Sequence, residues 1–208
     1  RRDFDEAQEA LGGRIALRLG AEIGDVNRDA ERMESILRAA PPLDFTIGSV
    51  HCLSAARGWT DLCRSGAVSP EDCRAEIANY LGEVRKLARW GKFSVLGHLT
   101  LPLRYMEQRG VTGSFDGWET EVEEIFRILL DNGCGIELNT NRGRDPLPGE
   151  KWLRMYRELG GELVTLGSDA HAPAQVGGTI REGQALLRRC GFTRFAVSSG
   201  GVPRFRKL

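Results

Sequence analysis

Short β-type runs alternate along this 208-residue sequence with longer segments that carry apolar residues at helical spacing. This alternation is typical of βα units built around a parallel sheet, and it leaves open whether that sheet is a closed barrel or an open one. The sequence predicts six strands, over 14–23, 44–51, 93–99, 135–140, 162–168 and 194–198. It predicts five helices, over 29–39, 70–90, 118–132, 150–159 and 179–190. We therefore expect an α/β fold.

Residues with strong local preferences mark several helix ends. Ser69 followed by Pro70 predicts an N-cap and a first helical turn. Gly133 and the pair Gly160-Gly161 stand where helices should stop, which predicts left-handed C-caps. The Gly- and Pro-rich stretch over 141–149 is interpreted as a βα loop, and the sequence has no internal repeat. We therefore expect one domain over 1–208.

Composition limits the classes of partner. Lysine and arginine total 29, as do aspartate and glutamate, so no overall field attracts nucleic acid or an anionic membrane surface. Five cysteines without a CxxC pair argue against a disulfide framework and favour a reducing cytoplasm. No apolar run approaches the roughly 20 residues that span a bilayer. The opening residues, 1–6, lack a signal peptide's apolar core and are expected to lie partway into a domain.

All three histidines of the chain lie at or just beyond the C-terminal ends of predicted strands. They are His51, His98 and His171, and Asp169 lies two residues before the last of them. Glu22 stands near the end of the first predicted strand. In a parallel βα barrel these ends open onto one face, so residues about 100 positions apart can converge there. The pattern predicts a shared site.

Each of these residues also has a structural explanation when it is considered alone. His51 and His98 could be core histidines with satisfied hydrogen bonds. Asp169 could cap a helix, and Glu22 could be a solvated acid. Together, three imidazoles and two carboxylates on successive βα turns favour a divalent metal site for Zn, Mn or Fe. Cys52 could be a soft ligand, but a small buried residue is the better interpretation.

Six short motifs follow one another along the chain: Gly20-Ala21-Glu22, Ile47-Gly48-Ser49-Val50-His51, Leu96-Gly97-His98-Leu99-Thr100, Gly135-Ile136-Glu137-Leu138-Asn139-Thr140, Gly160-Gly161-Glu162 and Leu166-Gly167-Ser168-Asp169-Ala170-His171. In this order they resemble the histidinol phosphatases of the PHP superfamily, and the resemblance covers essentially the whole chain. It implies a particular α/β fold, a distorted seven-stranded βα barrel, of which the first strand is missing here. It also implies a site for up to three divalent ions.

The resemblance implies a role for each candidate ligand. Glu22 resembles the carboxylate that bridges two metals, and Asp169 resembles the ligand that completes the first. His51 and His98 resemble ligands of the second metal, and His171 resembles a ligand of the third. Asp169 or His171 could also assist proton transfer to the leaving alkoxide. The family's opening His-x-His strand has no counterpart here, so if nothing precedes this sequence it would be a weakly metallated, non-catalytic remnant.

Two arginines are candidates to bind a substrate phosphate. Arg104 and Arg142 follow the third and fourth predicted strands, and each could instead be a surface arginine paired with an acid. The implied reaction is hydrolysis of a small phosphomonoester, histidinol phosphate, by metal-activated hydroxide. Thr100 stands where many PHP sequences carry aspartate, which bears on the branch and not on the family. A PHP enzyme acting on nucleotides or nucleic-acid ends is the alternative, disfavoured by the neutral charge balance.

Overall fold

A parallel five-stranded sheet organises the fold of residues 2–208, which the computed structural model describes. Its strands follow chain order: β1 (Gly20–Gly24), β2 (Phe45–Ser49), β3 (Val95–Leu96), β4 (Gly135–Asn139) and β5 (Val164–Gly167). Each neighbouring pair is parallel, with Glu22 opposite Ile47 and Ile47 opposite Val95. The C-terminal ends of all five strands therefore share one edge of the sheet, which we call the mouth.

The strands alternate with helices, as the sequence predicts. The helices are α1 (Arg2–Leu11), α2 (Ala30–Ala39), α3 (Pro70–Trp90), α4 (Leu101–Gln108), α5 (Glu119–Asp131), α6 (Glu150–Glu158) and α7 (Ile180–Arg189). The five predicted helices are confirmed as α2, α3, α5, α6 and α7, to within one residue at each end. The helices α1 and α4 are not among those predicted. Within residues 2–208, no helix has the length and apolar character needed to cross a bilayer.

The predicted helix ends follow from local chemistry. The Ser69 side chain accepts a hydrogen bond from the N–H of the third residue of α3, and Pro70 occupies the first helical position. Gly133 and Gly160 have φ angles of 69° and 92°, so both are left-handed as predicted. Gly161 is not left-handed. A Cβ there would overlap a tyrosine ring of α6, so close packing is what requires this glycine.

The strand predictions are correct only in part. Residues 14–19 are not a strand, because the pairing of β1 with β2 begins at Gly20. Strand β3 has only two residues, since the chain leaves the ladder before His98, whose φ is 22°. The sixth predicted strand is β6 (Arg194–Ser199), which pairs antiparallel with β7 (Val202–Lys207) and not with the parallel sheet. Gly200 and Gly201, with φ of 60° and 75°, reverse the chain between them.

The end of the sheet opposite the mouth is closed by this hairpin. Asp44, just before β2, accepts hydrogen bonds from the N–H groups of Gly200 (Oδ1, 2.7 Å) and Gly201 (backbone O, 3.1 Å). Its Oδ2 accepts a third from the N–H of Leu19, just before β1. These bonds place the hairpin tip over the starts of β1 and β2. The mouth, at the opposite end of the sheet, is not covered by the hairpin.

One buried cluster packs helices α2 to α7 against the sheet, and no residue of α1 that the structure describes belongs to it. All five residues of β4 are buried, and the rings of Phe126 in α5 and Tyr156 in α6 meet edge to face at 5.2 Å. The largest fully buried side chains of α3 are Tyr80, Ile77, Leu81 and Leu87. Burying side chains of this size contributes about 1.5–3 kcal/mol each, and this scaffold positions the strand ends at the mouth.

Candidate metal centre

Three of the predicted metal ligands meet at the mouth. Glu22 lies in β1, and His51 and His98 each follow their strand, β2 or β3, by two residues. Glu22 Oε1 is 3.1 Å from Nε2 of His51 and 3.1 Å from Nε2 of His98. One donor atom from each residue lies within 4.8 Å of the other two. Parallel pairing thus brings side chains 76 positions apart into contact. We call Glu22, His51 and His98 the imidazole group.

Glycines make room for this group. A Cβ on Gly97 would lie 2.7 Å from Ile47 Cγ2 and 2.8 Å from Ser49 Oγ, closer than real Cβ atoms approach other atoms. A Cβ on Gly24 would lie 3.0 Å from Nδ1 of His51. Close packing at the strand ends therefore requires the motif glycine before His98 and favours glycine at position 24.

The electrostatics of the imidazole group favour an ionised carboxylate. Hydrogen bonds from His51 and then His98 hold the pKa of Glu22 far below its usual range, although burial acts in the opposite direction. Burial alone would lower the pKa of His51, but its hydrogen bond to Glu22 and the Glu22 charge outweigh burial and raise that pKa. The group therefore offers one anionic oxygen and two imidazole nitrogens.

This donor set fits a divalent metal ion. Zinc and related ions bind imidazole nitrogen and carboxylate oxygen at about 2.0–2.2 Å, which places the ligand atoms of one ion roughly 3–3.5 Å apart. The 3.1 Å separations from Glu22 Oε1 agree with that spacing. In addition, Nδ1 of His98 is buried and has no hydrogen-bond partner among residues 2–208. An orphaned buried atom of this kind is expected where a site has a further polar partner.

The other four predicted site residues form a second group at the mouth, contributed by α4 and by the residues that follow β4 and β5. Asp169 Oδ2 is 2.7 Å from Arg104 Nη2 and 3.3 Å from Arg142 Nη2. Arg142 Nε also donates to the backbone oxygen of Asp169, at 2.9 Å. His171 Nδ1 lies 2.9 Å from that same oxygen, and its Nε2 lies 3.3 Å from Arg142 Nη2. We call Arg104, Arg142, Asp169 and His171 the arginine group.

A left-handed turn aims the two arginines at Asp169. Asn141 and Arg142 have φ angles of 51° and 57°, so the chain turns sharply after β4. The Asn141 side chain accepts a hydrogen bond from Arg104 Nε at 2.7 Å. Arg104 is buried, with 6% of its side chain exposed, whereas 29% of the Arg142 side chain is exposed. One guanidinium is therefore fixed, and the other faces solvent.

The structure divides the predicted site residues between the two groups. Asp169 and His171 are not among the converging donors of the imidazole group, so their roles as metal ligands and as catalytic residues stay predictions. Arg104 and Arg142 both pair with an acid, but Arg104 is buried and is not the surface arginine of the alternative interpretation; their binding of phosphate stays a prediction. Cys52 is buried and lies outside that donor set, in agreement with the structural interpretation.

Two carboxylates at the mouth are not among the predicted site residues. Asp25 accepts hydrogen bonds from the backbone N–H groups of His51 and Cys52, and Glu137 accepts one from the N–H of His98. Glu137 stands in a strand whose five residues are all buried, and burial raises its pKa. An acid inside an apolar strand run is a signal that could have identified Glu137, whereas Asp25 carries no such signal.

Comparisons with known proteins agree with this geometry. The family model described as "PHP domain" matches residues 2–141, about two thirds of the chain. The chain is 28% identical over 193 residues to a probable histidinol-phosphatase of Deinococcus radiodurans, covering 91% of this chain and 70% of that protein. It is 25% identical over 203 residues to the histidinol-phosphatase of Lactococcus lactis, covering 95% and 74%.

A solved structure shares the fold. It is the crystal structure of histidinol phosphate phosphatase from Lactococcus lactis complexed with zinc, L-histidinol and phosphate. The superposition has a TM-score of 0.76 at 22% identity and covers 98% of this chain and 77% of that one. The match to the family model agrees with the shared α/β fold and its parallel sheet. This chain belongs to the PHP domain family.

Proposed function

We propose that this chain is a metal-dependent phosphomonoester hydrolase that converts L-histidinol phosphate to L-histidinol and phosphate. The observation that carries the proposal is the presence of two complementary groups at one mouth. The imidazole group offers electron-pair donors to a cation, and the arginine group offers cationic hydrogen-bond donors to an anion. The names of the relatives and the ligands of the structural neighbour support the choice of substrate.

The metal would be held first by Glu22, His51 and His98, with Asp169 and His171 as further ligands. A divalent ion at these donors supplies Lewis-acid chemistry, because it makes hydroxide available near neutral pH and offsets negative charge on phosphorus. The finer expectations belong to the same proposal: Zn, Mn or Fe as the metal, up to three ions, a seven-stranded barrel and a cytoplasmic location.

The arginine group would bind and orient the phosphate. Two guanidinium groups outnumber the single carboxylate of Asp169, so the group keeps a net positive charge of about one with a neutral His171. Arg104 is buried, where a charge acts more strongly than in water. Arg142 is partly exposed and can turn two N–H donors toward phosphate oxygens. The phosphate would therefore lie between the fixed and the exposed guanidinium.

His171 is the candidate for moving a proton to the leaving alkoxide, which then departs as L-histidinol. Its ring is 66% exposed, the most accessible side chain of either group. With Nδ1–H donating to the Asp169 carbonyl, Nε2 carries the lone pair, an assignment inferred from the hydrogen-bond partners. Nε2 holds the one lone pair of this ring, so it would serve in moving the proton only when it does not bind a metal, while the Nδ1 bond keeps the ring oriented.

Phosphate release tests the proposal directly. The full-length protein, with any residues that its gene encodes before Arg1, is loaded with Zn²⁺ and given L-histidinol phosphate, a nucleoside monophosphate, or an oligonucleotide with a terminal phosphate. We expect release from L-histidinol phosphate alone, and its loss in His51→Ala. Release from the nucleic-acid substrates instead would favour the alternative PHP activity. A chain that binds zinc and releases no phosphate from any of them would contradict the proposal and favour a non-catalytic protein.

A further inference from the structure

The backbone of one imidazole donor is held by a carboxylate from the neighbouring strand. Asp25, one residue after β1, accepts the N–H groups of His51 and Cys52 with the same atom, Oδ1, at 2.9 Å each. Its own N–H donates to the backbone oxygen of Ser49 at 3.1 Å. Asp25 has a φ of 52°, a left-handed conformation that aspartate adopts more readily than most residues. These contacts join the ends of β1 and β2.

The second imidazole donor is held in the same way from the other side. Glu137, in β4, accepts the N–H of His98 with Oε2 at 3.1 Å, and the same atom accepts a hydrogen bond from the Asn139 side chain. Glu137 is 4% exposed. A Cβ on Gly167 in β5 would overlap its Oε1, so a glycine of the adjacent strand leaves the space for this carboxyl group.

The carbonyl side of each histidine is also fixed. The backbone oxygen of His51 accepts the N–H of Leu62 at 2.8 Å, and that of His98 accepts the N–H of Leu101 at 2.8 Å. Each histidine is therefore hydrogen-bonded on both sides of its backbone. His98 has a positive φ of 22°, and a non-glycine residue keeps such a conformation only where its surroundings impose it.

We propose that Asp25 and Glu137 are positioning residues for the metal centre: by holding the backbone N–H groups of His51 and His98, they fix where both Nε2 atoms lie. This inference rests on the proposed metal site. Neither carboxylate is one of the three converging donors. Metal–ligand distances tolerate changes of only about 0.2 Å, so a small backbone shift weakens binding. Loss of a supporting group around a metal typically costs about 10–100-fold in affinity.

Substitutions at Asp25 separate hydrogen bonding from charge. Asp25→Ala removes the acceptor and the charge, whereas Asp25→Asn removes the charge and keeps an acceptor at the same position. We expect the apparent Kd for Zn²⁺, measured by competition with a chromophoric chelator, to rise about 10-fold or more in Asp25→Ala. We expect Asp25→Asn to stay close to the parent. Equal weakening in both variants would overturn the inference, because charge alone would then explain it.

Asp61, in the loop that follows β2 and contains His51, provides a matched control for Asp25. Its Oδ1 accepts the backbone N–H of Cys63 at 2.8 Å, and its charge acts on His51 as that of Asp25 does. It does not hold the N–H of a metal donor. Asp61→Ala should therefore leave the Kd for Zn²⁺ near the parent value. A loss as large as that of Asp25→Ala would overturn the inference, because any cap of this loop would then have the same effect.

Glu137 is tested in the same assay. Glu137→Gln keeps an acceptor for the His98 N–H and should bind Zn²⁺ more tightly than Glu137→Ala, with circular dichroism to confirm that each variant is folded. If Glu137→Ala does not fold, Asp25→Ala still decides. Parent-like Kd values for folded Asp25→Ala and Glu137→Ala would overturn the positioning role and leave the metal site intact. A parent chain that does not bind Zn²⁺ would overturn both.

Discussion

The two ends of the parallel sheet are built in opposite ways. At the mouth, polar side chains converge, and the residues that follow the strands carry positive φ angles: Asp25, His98, Asn141, Arg142 and Asp169. At the other end, the β6–β7 hairpin covers the strand starts, and Asp44 joins its tip to β1 and β2.

This difference indicates that the mouth serves function and that the hairpin end serves stability. Left-handed backbone is costly for non-glycine residues, and it persists where the surrounding contacts impose it, commonly at functional sites. In βα barrels the chemistry lies at the C-terminal ends of the strands, while the opposite end contributes stability. We therefore expect substitutions at the mouth to change metal binding and activity, and substitutions at the hairpin end to change stability alone.

The largest effect is expected at Arg104, which serves both function and stability. Arg104→Ala removes a buried partner of Asp169, so we expect kcat/KM to fall about 10²–10³-fold. Asp169 keeps Arg142 as a partner, so the loss of one of its two guanidinium contacts should lower the free energy of unfolding by about 1–3 kcal/mol. Steady-state kinetics and chemical denaturation measure the two effects. Arg104→Lys keeps the charge but not the fork; full activity in that variant would contradict oriented phosphate binding.

A change confined to the mouth should separate function from stability. Glu22→Gln keeps the size of the side chain and removes the charge that both imidazoles face. We expect the Kd for Zn²⁺ to rise at least about 100-fold, beyond the range for supporting groups. The Tm of the metal-free chain should fall only modestly, since 42% of the side chain is exposed and water screens its contacts with the two imidazoles. Unchanged zinc affinity would remove Glu22 from the metal centre.

A change at the hairpin end should have the reverse signature. Asp44→Ala removes the side-chain acceptors for the N–H groups of Gly200 and Leu19. We expect the Tm to fall by roughly 2–4 °C, with kcat and the Kd for Zn²⁺ unchanged. Differential scanning calorimetry and the phosphate assay report both quantities. Altered zinc affinity in this variant would show that the two ends are coupled.

The smallest effect is a pH dependence at the same residue. Hydrogen bonds from the N–H groups of Gly200 and then Leu19 lower the pKa of Asp44 from its usual 3.8. A lowered carboxyl pKa contributes stability above the unfolded value, and that contribution is lost as pH falls through 3.8 and below it. The difference in Tm between the parent and Asp44→Ala should therefore shrink below about pH 4. A constant difference down to pH 2 would contradict this assignment.

Predictions from the sequence were most accurate where local preferences decide. The α3 bounds, Pro70–Trp90, match the prediction because Ser69 caps the start and proline fixes the first turn. The β6–β7 pairing was missed because a sequence pattern that predicts a strand does not show which strand it pairs with. The short helix α4, which presents Arg104, was missed because the run after His98 reads as a loop.

The candidate site divides in the same way. Glu22, His51 and His98 could be predicted as a group because parallel strands end on one face, whatever their exact contacts. The pairing of Asp169 with Arg104 and Arg142 could not, since it depends on the left-handed turn at Asn141 and on the direction of α4. Salt bridges between distant residues leave no periodic signal in a sequence.

The sequence by itself determined the alternation of strands and helices, most helix ends and the set of candidate metal ligands, because these follow from side-chain chemistry and near neighbours. Only the tertiary structure decided that Asp25 and Glu137 hold the two histidine backbones, that the predicted site splits into an imidazole group and an arginine group, and that a hairpin closes the opposite end. Those outcomes depend on atoms placed within a few ångströms of one another by long-range packing, to which many weak contacts contribute at once.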